Sequence, residues 1–294
     1  MNKIGICGLG LIGGSLAKAL KAMLPQARIF AADTDREALR IAVRDKIVDG
    51  IGIAPPDGND SFMRIFNGCD ILFLCAPPQV VLRQLSHMPE RNGIGLVTDV
   101  ASVKMPVTQA AAHLPNFVGG HPMAGSEGSG YEASDADLFK GATWILCGGG
   151  LRASESEARR PPLQSLITAI GAHPIGMDAE SHDKRMALIS HLPHTAAFAL
   201  AASPALRDDP LTRSLIGGGF RDTTRIAASS PSLWAEIFNV SGFLPGAIDA
   251  YISELRNIRN MIAAGEKSAL ESYLRFASDF RKTIPEGLHK KTIK

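Results

Sequence analysis

The sequence contains little cysteine, little net charge and no long apolar run, and each shortage argues against a class of protein. The four cysteines, Cys7, Cys69, Cys75 and Cys147, form no CxxC pair, so neither a disulfide framework nor a cysteine-based metal site is indicated. The formal net charge of +2 is too small to suggest nucleic-acid binding. No stretch reaches the ~18 apolar residues that a membrane span requires, and no secretory signal is evident. We therefore expect a cytoplasmic protein without nucleic-acid or membrane partners.

Short apolar segments alternate with helical patterns over residues 1–177, whereas residues 178–294 show helical patterns alone. The alternation predicts an α/β fold with a mostly parallel, doubly wound sheet covered on both faces. The second part is predicted to be an all-helical domain, whose apolar stripes pack on each other or across the two-fold axis of a homodimer. The predicted strands are Lys3–Cys7, 27–33, 70–77, 95–101, 116–122, 143–149 and 172–178. The main predicted helices are 13–24, 35–46, 79–88, 103–114, 163–170 and 244–262.

The segment GICGLGLIGGS carries the pattern Gly8-x-Gly10-x-x-Gly13 between a predicted strand and a predicted helix. Asp33 ends the next strand, and this context completes the fingerprint of a Rossmann-type dinucleotide-binding domain. A carboxylate at that place accepts hydrogen bonds from ribose hydroxyls and repels a 2′-phosphate, which favours NAD, although Arg36 leaves NADP open. The other residues that we expect to line the cofactor are Leu9, Leu11, Ile12, Cys75, Ala76 and Pro77.

Three polar stretches, CAPP, TDVASVK and GGHPMAGSE, each follow or end a predicted strand. Ligands of such sheets bind beyond the carboxyl ends of the strands, so the stretches should meet at one crevice. The second places Ser102 and Lys104 there, and the third places His121, Ser126 and Glu127 there. His121 is the candidate base, because histidine can take a proton near neutral pH; the alternative is a structural histidine in a loop.

The helical part contributes SHLPH and GGGFRDTTR. His191 and His194 share a helix face if the proline between them does not break the helix. HxxH can also bind metal, but no third ligand lies nearby, and we predict no metal site. The second segment is interpreted as a flexible loop with Arg221, Asp222 and Arg225; an arginine fork matches a carboxylate, although a solvated charged turn is the alternative.

Five motifs in this order, GLGLIGGS, TDVASVK, GGHPMAGSE, SHLPH and GGGFRDTTR, resemble the prephenate/arogenate (cyclohexadienyl) dehydrogenase family of tyrosine biosynthesis. The resemblance covers essentially the whole chain. It implies a Rossmann-type domain, a helical dimerisation domain and NAD-dependent oxidative decarboxylation of prephenate, with arogenate as a second substrate. The rival interpretations are another hydroxyacid or imine oxidoreductase with the same domains and an NAD-binding regulatory protein.

The resemblance also implies roles for single residues. His121 matches the base that accepts the hydroxyl proton, and Ser102 matches the serine that bonds the hydroxyl, the histidine or the nicotinamide region. Arg225 matches the arginine that binds a substrate carboxylate, and His194 matches a histidine of prephenate binding. Tyrosine is expected to inhibit by competition at this site. Further substrate-site residues are His191, Ser126, Trp234 (alternatively a core tryptophan) and an ionic network of Glu127, Arg221 and Asp222.

Overall fold

The structure is a computed structural model that describes residues 1–55, 60–126, 128–148, 153–205 and 209–284. One eight-stranded sheet has the order β3-β2-β1-β4-β5-β6-β7-β8, in which every neighbouring pair is parallel except β6 and β7. The strands are β1 Lys3–Cys7, β2 Arg28–Asp33, β3 Gly50–Ile53, β4 Ile71–Leu74, β5 Leu96–Asp99, β6 Phe117–Pro122, β7 Thr143–Gly148 and β8 His173–Met177. This sheet confirms the predicted fold class.

The strand β3 is absent from the prediction. It is a four-residue edge strand with the sequence GIGI, and only alternate residues are partly buried. Glycine is a weak strand former, so the segment carries little β signal. Gly50 pairs with Phe30 in the structure, and a Cβ at Gly50 would lie 2.7 Å from that ring. The glycine is therefore explained by an aromatic neighbour on the next strand, which the local sequence does not reveal.

The helices agree with the predicted alternation but differ in detail. Helix α4 is shorter than predicted, and α5 begins before its predicted start and contains Pro161 and Pro162. The predicted flexible loop at 217–225 is wrong, because it forms α9 and the start of a 3₁₀ turn. The helices are α1 Leu11–Met23, α2 Arg36–Arg44, α3 Pro78–His87, α4 Met105–Ala110, α5 Ala153–Ala169, α6 Ala179–Met186, α7 Leu192–Ala205, α8 Pro210–Ser214, α9 Gly218–Thr224, α10 Pro231–Val240, α11 Leu244–Ala263 and α12 Lys267–Thr283. Shorter turns are 3₁₀ at Asp60–Phe66 and Arg225–Ala228 and π at Ala187–His191.

The core lies on both faces of the sheet. In β4, Ile71 and Phe73 belong to one hydrophobic cluster, while Leu72 and Leu74 belong to the other. All four side chains are buried because helices cover both faces, which explains why the strands are continuously apolar rather than alternating. With both faces covered, the carboxyl edge of the strands is the part of the sheet where a ligand can approach.

The part of the chain after β8 contains helices but no strand among the described residues. Its last two helices carry large apolar side chains that remain exposed in the single chain, such as Leu255, Phe276 and Phe280. No described helix is long and apolar enough to cross a membrane. The boundary between residues 177 and 178 stays a prediction; β8 ends at Met177 and α6 begins at Ala179.

Candidate active site

The glycine turn between β1 and α1 packs tightly against the loop that follows β4. Gly8 has φ +97°, and a Cβ there would lie 2.6 Å from backbone atoms of Cys75 and Ala76. A Cβ on Gly13 would lie 1.9 Å from the carbonyl oxygen of Gly8. Only glycine fits at either position. The structure thus brings together two of the segments that the sequence predicted to hold the cofactor.

The N-terminus of α1 is uncapped and borders open space. Gly10 is the N-cap residue, no side chain caps the helix, and a Cβ on Gly10 would have no heavy atom within 4 Å. The first-turn N–H groups, including those of Leu11 and Ile12, are therefore available to an external acceptor. Such a helix end attracts anions through these donors and through its dipole, so it fits a dinucleotide pyrophosphate.

Asp33 holds the glycine turn as well as ending β2. One carboxylate oxygen accepts the N–H of Leu9, and the other accepts the N–H of Asp35 at 2.8 Å. Oδ1 also accepts the hydroxyl of Thr34 at 3.4 Å, whereas Oδ2 keeps a second acceptor site, which leaves capacity for a ribose hydroxyl. The predicted cofactor role is compatible with this geometry, and the structure adds an anchoring role that the sequence pattern did not indicate.

His121 lies in β6 close to its carboxyl end, opposite Ile145 of β7. It is 8% exposed, and its Nδ1 lies 2.8 Å from Nε2 of His182. Its Nε2 has no hydrogen-bond partner within the described ranges. Burial, followed by the influence of His182 and Lys104, lowers the pKa of His121 well below the usual histidine range. The imidazole is therefore neutral at neutral pH and can accept a proton.

His182 and Asp183 lie behind His121 at the start of the helical part, and the sequence analysis did not select them. His182 is fully buried, and its Nδ1 lies 2.6 Å from Oδ1 of Asp183. Asp183 also accepts the backbone N–H of Lys104 at 2.6 Å and that of Met105 at 2.8 Å. Its carboxylate therefore joins α6 to the loop that carries Ser102. The adjacent His-Asp pair in SHDKR was the available signal.

Lys104 does not face the crevice, so that expectation is wrong. It is fully buried, forms an ion pair with Asp99, and donates to the carbonyl of Gly120 at 2.6 Å. Asp99 in turn accepts the N–H of Gly120 at 3.0 Å. The ion pair therefore clamps the ends of β5 and β6 together next to His121. Ser102 lies between these groups in sequence and is partly buried.

The helical part places His191, His194 and Trp234 together. Nδ1 of His191 lies 2.7 Å from the hydroxyl of Ser241, and its buried Nε2 has no partner among the described residues. His194 donates from Nδ1 to the carbonyl of Ser190 at 2.9 Å and stacks on Trp234 with 3.6 Å between ring centroids. Burial lowers the pKa of His191 to about 4 and also lowers the pKa of His194. Both rings are therefore neutral hydrogen-bonding groups at neutral pH.

Trp234 is only partly buried and its indole lies 6.2 Å from the His191 ring, so it lines the same region as both histidines. This position does not favour the alternative of a core tryptophan. Arg225 begins the 3₁₀ turn after α9, close enough for its charge to help lower the pKa of His194. Arg225 is exposed, and its charge acts on the ring of His194, which is stacked on Trp234.

The remaining predicted residues lie further out. Arg221 and Asp222 are exposed on α9, and Ser126 is exposed with its hydroxyl accepting the N–H of Gly128 at 3.3 Å. Glu127 lies outside the described residues, so the ionic network stays a prediction. Within the described ranges, no group of three or more His, Cys, Asp or Glu side chains could hold a metal ion.

A glycine turn at the carboxyl edge of a doubly wound sheet, next to a buried neutral histidine, is the arrangement of a dinucleotide-dependent oxidoreductase. Two family models cover most of the chain. The nucleotide-binding domain of prephenate dehydrogenase matches residues 16–175, and the dimerization domain of prephenate dehydrogenase matches residues 178–276. The chain belongs to the prephenate dehydrogenase family.

Individual relatives agree with the family models. A prephenate dehydrogenase of Bacillus subtilis is 35% identical over 97% of this chain and 76% of its own length. A cyclohexadienyl dehydrogenase of Zymomonas mobilis is 31% identical over 89% of this chain and 88% of its own length. The crystal structure of A. aeolicus prephenate dehydrogenase with hydroxyphenyl propionate and NAD⁺ has a TM-score of 0.81, with 28% identity over 97% of this chain and 99% of that one.

Proposed function

We propose that this protein is an NAD-dependent prephenate dehydrogenase that converts prephenate to 4-hydroxyphenylpyruvate and accepts arogenate as a second substrate. Residues 1–177 bind the dinucleotide, and residues 178–294 complete the substrate site and form a homodimer in the cytoplasm. The observation that carries the proposal is the buried, neutral His121 at the carboxyl edge of the sheet, with its Nε2 unbonded among the described residues.

The nucleotide-binding part binds and orients the dinucleotide and takes no part in the proton transfer. The first-turn N–H groups of α1 hold the pyrophosphate, and Asp33 accepts hydrogen bonds from the adenosine ribose. A 2′-phosphate would lie against the Asp33 carboxylate, which is the reason for expecting NAD over NADP. When bound, NAD⁺ supplies the acceptor for the hydride that leaves the hydroxyl-bearing ring carbon of the substrate.

His121 accepts the proton of the substrate's ring hydroxyl. As the ring hydroxyl becomes a carbonyl, its O–H bond breaks and the proton passes to Nε2 of His121, while Ser102 orients the hydroxyl. The bond from the ring to its carboxylate then breaks and carbon dioxide leaves. The electron pair of that bond enters the ring, the carbonyl oxygen regains a proton, and the product is an aromatic phenol. Aromatisation drives this second step, so no strong acid or metal is required for it.

The helical part binds the anionic substrate. Arg225 offers a planar donor fork to a carboxylate, and His194, stacked on Trp234 with its Nδ1–H bonded to the Ser190 carbonyl, packs beside it and presents Nε2 as an acceptor. Tyrosine shares the aromatic ring and the side-chain carboxylate of the reaction's products, so we expect it to inhibit by competition at this site. Finding tyrosine bound only at a distant surface would contradict that expectation.

Initial-rate kinetics test the proposal directly. Dinucleotide reduction is followed with prephenate and with arogenate, each with NAD⁺ and with NADP⁺. We expect the highest kcat/KM for prephenate with NAD⁺, and a lower but measurable value for arogenate. Turnover of another hydroxyacid or imine, without turnover of prephenate or arogenate, would overturn the proposed function. Binding of NAD⁺ without any turnover would indicate the regulatory alternative.

A further inference from the structure

The buried pair behind His121 has no assigned role in the reaction outlined above. His182 is completely buried, and its two ring nitrogens face His121 on one side and Asp183 on the other, at 2.8 Å and 2.6 Å. His121 and His182 are 61 residues apart in the chain, so their contact depends on the docking of α6 against the sheet. A fully buried imidazole bonded at both nitrogens transmits the polarity of one partner to the other.

The hydrogen positions follow from the acceptors. Asp183 accepts the N–H groups of Lys104 and Met105, so its carboxylate acts as an acceptor toward every neighbour, and Nδ1 of His182 must donate to it. With Nδ1 of His182 as the donor, its Nε2 serves as the acceptor toward His121, which requires an N–H on Nδ1 of His121. The remaining nitrogen of His121, Nε2, is left unprotonated. This is the nitrogen without a partner among the described residues, and it is the one able to take the substrate proton.

We propose that His182 and Asp183 are positioning residues that fix His121 in the tautomer with a free Nε2 and stabilise the cation formed when it accepts the hydroxyl proton. The inference rests on the proposed function, because it assigns a role to groups behind the proposed base. The proton goes from the substrate oxygen to Nε2, Nδ1–H stays directed at His182, and the Asp183 carboxylate balances the positive charge.

Several groups around His121 act in the opposite sense to the Asp183 carboxylate. Burial, the neighbouring His182 ring and the positive charge of Lys104 all disfavour protonated His121 and lower its pKa well below the usual range. The Asp183 carboxylate is joined to His121 through His182, and in the proposal its negative charge offsets part of this effect. The titratable and charged groups around His121 are Asp99 from the end of β5, Lys104 from the start of α4, His182 and Asp183 from α6, and His191 from the π turn.

Two substitutions of His182 separate positioning from general structural support. His182→Gln retains a carbonyl acceptor for His121 and an amide donor for Asp183, whereas His182→Leu removes both at a similar volume. We expect His182→Leu to lower kcat by about 10²-fold, within the range of general base catalysis, with little change in KM. Without the acceptor the His121 cation is less stable, so the acid limb of the kcat profile moves to lower pH. His182→Gln should restore much of the kcat.

A spectroscopic measurement tests the tautomers without turnover. In protein labelled with ¹⁵N-histidine, two-bond ¹H–¹⁵N spectra report which nitrogen of each of the eight histidines carries hydrogen. We expect Nδ1–H for His121 in the wild type and in His182→Gln, and a mixture in His182→Leu. The control is His113→Gln, since His113 bonds the carbonyl of Met88 at 2.8 Å and does not contact the site. It should leave the tautomer of His121 and kcat unchanged.

The outcomes distinguish the two proposals. An Nε2–H tautomer of His121 in the wild type would overturn the positioning role, as would wild-type kcat and an unmoved acid limb in His182→Leu. Equal loss of kcat in both His182 variants, with the tautomer of His121 unchanged, would also overturn it. If the expected tautomers are found but neither prephenate nor arogenate is turned over, the positioning unit stands and the proposed function fails.

Discussion

His121 has two properties that a histidine in a surface loop would lack. It is almost completely buried, which keeps the ring neutral, and it belongs to the β6–β7 ladder, which fixes its backbone. The sequence indicated the histidine through its place at the end of a predicted strand. The adjacent His-Asp pair in SHDKR marks His182 as a candidate, but its contact with His121 could not be predicted, because it depends on how α6 docks and local patterns carry no information about that contact.

His121→Asn tests the base. Asparagine is close to histidine in size and keeps a hydrogen-bonding group, but it cannot accept the hydroxyl proton. We expect kcat to fall by about 10²–10⁴-fold, the usual contribution of a general base. The Kd values for NAD⁺ and for a substrate analogue, measured by calorimetry, should stay near those of the wild type. A kcat close to the wild-type value would remove His121 from this role.

Lys104→Met tests the buried ion pair at the ends of β5 and β6. The substitution leaves the Asp99 carboxylate buried without its cation, which typically destabilises a protein by about 3–5 kcal/mol. Urea unfolding followed by circular dichroism measures the free energy of unfolding. The matched control is Lys282→Met, since Lys282 pairs with Asp279 at 3.0 Å on the exposed surface of α12. It should change stability by less than about 1 kcal/mol.

The double variant Lys104→Met with Asp99→Asn provides a second test in case the single variant does not fold. Asparagine carries no charge, and its side-chain oxygen still accepts one of the backbone N–H groups that Asp99 binds. We expect it to recover part of the lost stability. A single variant as stable as the wild type would show that the pair does not hold the strand ends.

At the scale of elements, most of the sheet was predictable, because strands buried on both faces are continuously apolar and the helices between them are amphipathic. The two elements that were predicted wrongly, β3 and segment 217–225, differ from the prediction for separate physical reasons. Strand β3 is built from glycine and isoleucine, and its pairing depends on Phe30 of the neighbouring strand. Segment 217–225 contains three glycines, which favour a loop, but the segment folds as α9 and the start of a 3₁₀ turn. Tertiary context overrides local propensity at such positions.

Two alanine substitutions in the glycine turn separate folding from cofactor binding. A methyl group at Gly10 would meet no protein atom within 4 Å, whereas one at Gly13 would lie 1.9 Å from the carbonyl oxygen of Gly8. We expect Gly10→Ala to keep the wild-type Tm and to weaken NAD⁺ binding about tenfold or more, since the methyl group would occupy the space that the proposal gives to the pyrophosphate. Gly13→Ala should be destabilised by about 1–3 kcal/mol even without cofactor.

Differential scanning calorimetry and fluorescence titration with NADH give both quantities for each variant. Wild-type NADH affinity in Gly10→Ala would show that the dinucleotide does not approach the N-terminus of α1. Unchanged stability of Gly13→Ala would show that the turn can relax, and that its close packing is not required.

At the scale of the whole molecule, the C-terminal helices leave apolar side chains uncovered. Leu255 on α11 and Phe276 and Phe280 on α12 are 47%, 76% and 65% exposed in the single chain. Exposed apolar surface of this extent marks an interaction site, and this part of the chain matches a dimerization domain. The amphipathic stripes in the sequence predicted a packing surface, but they did not distinguish packing within the chain from packing between chains.

Phe276→Glu tests whether this surface forms a homodimer. A buried carboxylate at the interface should shift the sedimentation coefficient from that of a dimer to that of a monomer at micromolar concentration. The apparent Tm of the wild-type dimer should fall on dilution, because dissociation is coupled to unfolding, whereas the Tm of the monomeric variant should not depend on concentration. Val43→Glu, at a 44% exposed position on α2, is the control and should remain dimeric. Dimeric behaviour of both variants would exclude α12 from the interface.

The bonds that Asp183 makes across the proposed boundary have a consequence for recombination between relatives. Its partners on the nucleotide-binding side are the backbone N–H groups of Lys104 and Met105, which every residue except proline possesses. These two hydrogen bonds therefore depend on the backbone conformation at positions 104 and 105 and not on which side chains those positions carry. Chimeras that exchange helical halves after residue 177 should rebuild it whenever the incoming half carries the His-Asp pair, even from a distant family member.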